Sequence, residues 1–176
     1  PGMFDKVIDI NTCHLQDEPS NTIRNRIREF ALNNKLSFFD LKKQEGLLRN
    51  LMIRISKIGE IMVLVQFFND DSKKINLLMS FIKDSFSEIT SLLYTINTKP
   101  NNTIYDQEII CYSGKNYIRE KIENLTFKIG PKSFFQTNSE QAKLLYSSVR
   151  KLANIKNNDV VYDLYTGTGT IAQFIS

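Results

Sequence analysis

Val160-Val-Tyr-Asp-Leu-Tyr-Thr-Gly-Thr-Gly-Thr170 is an apolar run that ends at an acidic residue and passes into two glycines separated by one residue. The apolar residues predict a short buried strand over 159–163, and the glycines predict a tight turn into a helix that starts near 171. Glycine lets the backbone turn sharply and approach a ligand closely at the carboxyl end of a parallel strand. The stretch therefore predicts the beginning of an α/β domain with a nucleotide-like cofactor at this turn.

Two other nucleotide-binding loops do not fit this spacing. A dinucleotide-binding loop has the pattern G-x-G-x-x-G and a Walker loop has G-x-x-x-x-G-K-[ST], and neither occurs at 160–170. An ordinary strand-to-helix turn remains an alternative, because two glycines at this spacing are frequent by chance.

A helix is predicted directly upstream, beginning at Asn138. Its apolar residues recur at helical spacing: Ala142, Leu145, Tyr146, Val149 and Leu152. The segment that leads into it is Lys132-Ser-Phe-Phe-Gln-Thr-Asn-Ser139.

The earlier part of the chain predicts a different architecture. Helices are predicted over 21–34 and 72–88, and strands over 51–56, 61–68 and 89–96. Gly59 supplies the turn of an antiparallel hairpin between the first two strands. The short strands 107–111 and 125–129 are predicted to form a further antiparallel pair. We therefore expect a central α+β domain with an antiparallel sheet over 1–115, followed by the truncated start of an α/β domain over 116–176.

The composition is that of a globular protein. Of the 176 residues, 41% are hydrophobic and 24% are charged, and no apolar run is long enough to span a membrane. The N-terminus has no signal-peptide pattern, so a cytoplasmic location is expected. The net charge of +4 is compatible with a polyanionic partner. Cys13 and Cys111 are far apart in sequence, are expected to be buried, and encode neither a disulfide framework nor a complete metal site.

Two motifs together resemble the RNA uracil-5 methyltransferases, which modify uridines of transfer or ribosomal RNA. In that family an F-x-Q-x-N motif precedes a helix and then a D-L-[FY]-x-G-x-G motif. The matching residues are Phe134, Gln136 and Asn138, then Asp163, Leu164, Tyr165, Gly167 and Gly169. Upstream, Ser113–Glu120 and Asp40–Arg54 also resemble the family, so the resemblance covers most of the chain.

The resemblance implies a class I, Rossmann-like methyltransferase domain that uses S-adenosylmethionine. Gln136, Tyr165 and Thr170 would contact this cofactor, while Asp163, Gly167 and Gly169 would belong to the loop around it. Phe134 would stack on a flipped target uracil. From the residues alone, Gln136 could instead satisfy backbone groups at a helix entry, and Phe134 could pack in the core.

Cys13 resembles one of four cysteines that bind a 4Fe-4S cluster in many family members. The other three are absent from this chain, so a cluster is expected only in a longer parent protein. This likeness slightly favours ribosomal over transfer RNA as the substrate. His14 is interpreted as a surface or packing residue.

The resemblance also implies that the catalytic cysteine and glutamate follow residue 176. We therefore expect no catalytic residue in this chain, an inactive fragment, weak or no cofactor binding, and possible self-association. Cys111 is set aside as a nucleophile because its apolar surroundings predict burial. Two alternatives stay open: an RNA-binding module without methyl transfer, and a methyltransferase that acts on another nucleobase position.

Overall fold

The computed structural model describes residues 8–176. Its first helix, α1, spans Ser20–Asn33. Ile23, Ile27 and Ala31 are buried on one side of it, because residues four apart lie on the same helix face. The helix predicted over 21–34 is confirmed to within one residue at each end.

A four-stranded sheet forms the centre of the molecule. Its strands are β1 (Leu48–Ile55), β2 (Ile61–Phe67), β3 (Ile89–Ile96) and β4 (Ile110–Gly114), in that spatial order. The hairpin predicted between β1 and β2 is confirmed, and Gly59 adopts φ +83 in its turn. A second helix, α2 (Ser72–Ser85), connects β2 to β3.

The prediction of an antiparallel central sheet is wrong, because the sheet is mixed. β3 runs parallel to β2, whereas the other neighbouring pairs are antiparallel. The cause is α2, which carries the chain back along the sheet so that β3 starts at the same end as β2. A parallel pair of this kind requires such a crossover connection.

The pairing predicted between 107–111 and 125–129 is also wrong. The first of these segments contributes to β4, which pairs with β3. The second is β6 (Leu125–Ile129), which pairs with β5 (Ile118–Ile122), a strand that was not predicted from the sequence. A short turn at Glu123 joins β5 and β6 into a separate hairpin. β6 therefore pairs with the strand next to it in sequence and not with 107–111.

Both faces of the central sheet are covered. α1 and α2 lie on one face, against a core that includes Val63, Val65 and Phe67. On the opposite face, Met62 and Leu64 contact Ile118 and Ile129 of the β5–β6 hairpin. Alternating residues of β2 thus contribute to two different cores, which is why every residue of this strand is buried.

The remaining residues form a third core. Helix α3 (Ser139–Ala153) and the short helix α4 (Thr170–Ile175) pack on the hairpin through Ala142, Tyr146 and Phe174. The helix predicted from Asn138 is confirmed. None of the helices within residues 8–176 is long and apolar enough to cross a membrane.

The buried strand predicted over 159–163 is wrong. The segment is not part of a sheet, and Val160, Val161 and Tyr162 are exposed. A strand is stabilised only when neighbouring strands satisfy its backbone groups, and no strand within residues 8–176 lies beside this one. The domain boundary at 115/116 falls between β4 and β5 and stays a prediction.

Candidate functional site

A cleft of about 390 Å³ lies where the central sheet meets the β5–β6 hairpin and the start of α3. Its walls come from β1, from the loop before α1, from the hairpin and from the segment 135–139. Gln136 and Asn138, two residues of the F-x-Q-x-N motif, both line it.

Asn138 is the N-cap of α3. Its Oδ1 accepts a hydrogen bond from the backbone N–H of Gln141 at 3.0 Å, which satisfies one of the free donors of the first turn. Gln136 makes no hydrogen bond with any residue in the range 8–176, and its side chain is exposed at the cleft. The helix-capping interpretation therefore applies to Asn138, and the Gln136 amide is available to bind a ligand.

Phe134 and Phe135 have opposite environments. Phe134 is 71% exposed, so the core-packing interpretation of this residue is wrong. Phe135 instead packs in the core, with its ring centroid 6.0 Å from that of Phe127. Because Phe135 holds the segment in place, Phe134 presents its ring to solvent.

Glu120 organises the cleft and was not identified as a site residue from sequence. It is 3% exposed. Its carboxylate accepts hydrogen bonds from the backbone N–H of Lys57 at 3.1 Å and from Ser139 Oγ at 2.9 Å. These contacts join the β1–β2 turn, the hairpin and the first residue of α3. The available signal was the alternation of Ile118, Glu120 and Ile122, which places the glutamate on the buried face of β5.

The two glycines of the predicted cofactor loop adopt left-handed backbone conformations. Gly167 has φ +54 and Gly169 has φ +70, and Tyr165 also has a positive φ of +65. A Cβ placed on Gly167 would meet nothing nearer than Tyr165 O at 3.9 Å, so open space lies over this residue. The turn therefore has room for a ligand beside its backbone, which fits the binding of S-adenosylmethionine.

Asp163 and Thr170 stabilise this loop. Asp163 Oδ2 accepts hydrogen bonds from Thr166 Oγ1 at 3.0 Å and from the Ala172 N–H at 3.3 Å. The buried Thr170 hydroxyl lies 2.7 Å from that of Thr168. Tyr165, in contrast, is fully exposed.

The two motifs are joined through one core but do not share a cleft. α3 follows the Gln136 segment and α4 follows the glycine loop, and the helices pack through Tyr146 and Phe174, with ring centroids 5.7 Å apart. Arg150 Nε strengthens the contact by donating to Phe174 O at 2.8 Å. No residue of 163–170 lines the cleft at Gln136.

The cysteines differ from expectation. Cys13 is half-buried, and its backbone N–H donates to Asn21 Oδ1 at 2.7 Å. Cys111 is exposed, so the prediction that it is buried is wrong: β4 is an edge strand, and no strand among residues 8–176 lies on its outer side. The described residues 8–176 contain no group of three or more His, Cys, Asp or Glu able to hold a metal ion. With two cysteines in all, the chain does not fit a cluster with four thiolate ligands.

Comparison with known proteins gives a consistent set of relatives. The chain is 53% identical, along its entire length, to a Porphyromonas gingivalis protein named uncharacterized RNA methyltransferase, and 52% identical to one of the same name from Bacteroides thetaiotaomicron. It spans 38% and 39% of those two proteins. No protein-family model matches the chain.

A solved structure has the same fold. The Pyrococcus abyssi tRNA (uracil-54, C5)-methyltransferase in complex with S-adenosyl-L-homocysteine superimposes with a TM-score of 0.78 at 29% sequence identity. The match covers 97% of this chain and 41% of that protein. These comparisons confirm the resemblance that the two motifs indicated.

Proposed function

We infer that this chain is a segment of a protein of the RNA methyltransferase family, and we propose that this protein methylates C5 of a uridine in RNA. One observation carries the proposal. In the F-x-Q-x-N segment, Asn138 and Phe135 hold the backbone in place, and this leaves the Phe134 ring and the Gln136 amide exposed without partners among the described residues. An exposed aromatic face can stack on a nucleobase, and a free amide two residues later in the chain can hydrogen-bond a cofactor.

The proposed cofactor is S-adenosylmethionine, which supplies the methyl group. Gln136, Tyr165 and Thr170 are the proposed contacts, with the amide of Gln136 as the hydrogen-bonding group. Because no residue of 163–170 lines the cleft at Gln136, a cofactor that contacts all three must extend from this cleft to the glycine loop. Asp163 and Gly169 shape the loop, since the carboxylate accepts two hydrogen bonds from it and the glycine takes a backbone conformation that other residues adopt rarely. Gly167 provides the close approach to the ligand.

Phe134 is proposed to stack on the target uracil. A base inside an RNA helix is not accessible to an enzyme, so it must be turned out and held against a surface. The exposed ring of Phe134, two residues before Gln136 in the chain, provides such a surface.

The nucleophile and base of the reaction are proposed to lie outside this chain. Addition of a nucleophile to uracil C6 makes C5 electron-rich, and a base later removes the C5 proton. Cys111 is exposed but lies on β4, in the central sheet, whereas the proposed cofactor loop leads into α4, which packs in the third core. Cys13 is proposed as a cluster ligand only in a longer protein. The RNA is proposed to be ribosomal or transfer RNA in the cytoplasm.

Calorimetric titration of S-adenosylhomocysteine tests the cofactor assignment. The 176-residue chain is compared with a protein extended to the length of the curated relatives, each with a Gln136→Ala variant. Gln141→Ala is the matched control, because the Gln141 side chain is exposed on α3 and does not line the cleft. We expect binding by the extended protein, weakened about tenfold by Gln136→Ala, the effect of losing roughly 1.4 kcal/mol, and unchanged by Gln141→Ala.

Two results would count against the proposal. Equal binding by both variants would remove Gln136 from the cofactor site. If the extended protein is folded but its titration with S-adenosylhomocysteine gives no heat, the methyltransferase assignment is overturned and an RNA-binding module is favoured instead.

A further inference from the structure

A second cleft, of about 420 Å³, lies on the face of the central sheet that the β5–β6 hairpin only partly covers. The middle of β1, the loop 102–105 and Pro131-Lys132 form its walls. It is adjacent to the cleft at Gln136, because Gln16, Ile53 and Arg54 line both. A ligand that fills one cleft can therefore continue into the other.

Gln66 is the most unusual residue of this second cleft. It lies on β2 in the interior of the sheet and is 4% exposed, yet its side-chain Oε1 has no hydrogen-bond partner among residues 8–176. A buried carbonyl without a donor is costly and is rare in folded proteins. Gln66 also lines the cleft, so a rotation of its side-chain amide would bring the carbonyl toward a ligand that carries an N–H group.

Two positively charged side chains, those of Arg54 and Lys132, line the same cleft. Arg54 Nη1 donates to Ser133 O at 2.9 Å, whereas Arg54 Nε and Nη2 donate to no described residue. Lys132 Nζ donates to Gln107 O at 2.6 Å, and an ammonium has two further protons to donate. The backbone contacts hold both side chains at the cleft, which both residues line, and leave N–H groups that can donate to an anionic group.

Tyr105 adds an aromatic surface. It lines the cleft and is 71% exposed. Arg49 holds the loop before it, donating from Nη1 to Asn97 O at 2.8 Å and from Nε to Asn102 Oδ1 at 2.9 Å. The wall is therefore ordered before any ligand binds.

We propose that this cleft binds one unpaired nucleobase of the RNA, a few nucleotides from the methylated uridine. The amide of Gln66 accepts an N–H from the edge of the base, Tyr105 stacks on its face, and Arg54 and Lys132 contact the neighbouring phosphates. This assignment rests on the proposed function for its RNA partner. It adds a specificity-determining site within the central sheet, distinct from the Gln136 cleft.

Fluorescence polarisation with labelled eight-nucleotide oligo(A), oligo(C) and oligo(U) tests the assignment, using the protein at the length of its relatives. Gln66→Leu removes the unpaired carbonyl and keeps the side-chain bulk. Ser91→Ala is the matched control, because Ser91 Oγ is also buried without a partner but lines neither cleft.

We expect Gln66→Leu to bind the preferred oligonucleotide about tenfold more weakly and to lose preference among the three, consistent with the loss of one base contact. Ser91→Ala should bind like the wild type, and both variants should melt at or above the wild-type temperature. Lys132→Ala should weaken binding of all three oligonucleotides equally. Unchanged affinity and preference in Gln66→Leu would overturn the assignment.

A folding defect in Gln66→Leu would leave Tyr105→Ala as the decisive variant, with Tyr105→Phe as its control, because an exposed ring can be changed without disturbing a core. Loss of binding in Tyr105→Ala but not in Tyr105→Phe supports stacking, and equal binding contradicts it. If the wild type binds S-adenosylhomocysteine but none of the RNAs, the cleft assignment fails while the proposed function stands.

Discussion

At the scale of single residues, the site depends on a few side chains that hold the backbone so that others remain free. Asn138 caps α3 and Phe135 packs inward, so that Gln136 and Phe134 face solvent. Glu120 performs a similar task from the hairpin, since it binds Ser139 at the start of the same helix. Substituting a holding residue should therefore impair both stability and binding, whereas substituting Gln136 or Phe134 should impair binding alone.

Gly169→Ala is expected to destabilise the protein by about 1–2 kcal/mol, because an alanine in the left-handed conformation carries a steric cost. The backbone at Gly169 has φ +70, and an added Cβ would lie 3.0 Å from Gln173 Nε2. Gly130→Ala is the control, since a Cβ there would make an ordinary 3.5 Å contact with Ser133 Oγ. Thermal denaturation measures both, and equal melting temperatures would contradict the prediction.

At the scale of elements, one ion pair connects the central sheet to the hairpin. Glu60 precedes β2 and accepts hydrogen bonds from the Arg119 backbone N–H at 2.6 Å and from its Nε at 2.8 Å. These hydrogen bonds from Arg119 lower the pKa of Glu60 below its ordinary value of 4.5. The charged form of Glu60 is therefore the one that stabilises the contact between the two elements.

Glu60→Gln should reduce stability at neutral pH, and the difference from the wild type should shrink as the pH falls. A carboxyl with a lowered pKa in the folded state stabilises it fully above the ordinary value of 4.5 and loses that effect as pH falls through the folded pKa. Urea denaturation at several pH values measures this. Glu45→Gln, which removes one exposed ion pair to Lys43, should show no such trend; a parallel trend in both would contradict the assignment.

The elements that were predictable from sequence are those with a strong local signal. α1 and α2 have apolar residues at helical spacing, and the β1–β2 hairpin has a glycine turn between two apolar runs. β5 was missed because three of its five residues, Arg119, Glu120 and Lys121, are charged, although its isoleucines alternate correctly. The parallel pairing of β2 with β3 depends on where α2 packs, which is a tertiary property.

The residues of the site divide in the same way, into those that a local pattern predicts and those that only the fold brings together. The spacing of Gln136, Asn138, Gly167 and Gly169 could be recognised in the sequence because motifs are local. The role of Glu120 could not, since its partners Lys57 and Ser139 are 63 and 19 residues away in the chain. The second cleft could not be predicted from the sequence either, because only the fold brings Gln66 and Tyr105 to the same cleft.

At the scale of the whole molecule, exposed apolar residues concentrate in the last third of the chain. Leu144, Leu145 and Leu152 are exposed on α3, and Val160 and Leu164 are exposed in the segment after it. A surface with so many exposed apolar residues is typical of an interface. None of these five residues lines either of the two clefts.

We expect the 176-residue chain to self-associate through this surface. Sedimentation velocity should show an average mass that rises with concentration, and the double variant Leu145→Glu/Leu152→Glu should remain monomeric. Leu77→Glu, at an exposed leucine on α2, is the control and should behave like the wild type. A wild-type chain that stays monomeric at high concentration would contradict the prediction.

The β5–β6 hairpin packs in two different cores, so its stability depends on both of them. Ile118 and Ile129 contact the central sheet, whereas Ile122 and Phe127 contact α3 and α4. An isolated two-stranded hairpin is marginal in water, so its backbone amides stay protected from hydrogen exchange only while at least one neighbour is folded. If α3 and α4 open first, the amides of Ile118 and Ile129 should still exchange as slowly as those of the central sheet. The hydrogen bond from Lys57 to Glu120 would remain, and it would keep the hairpin in the position to which the two helices return.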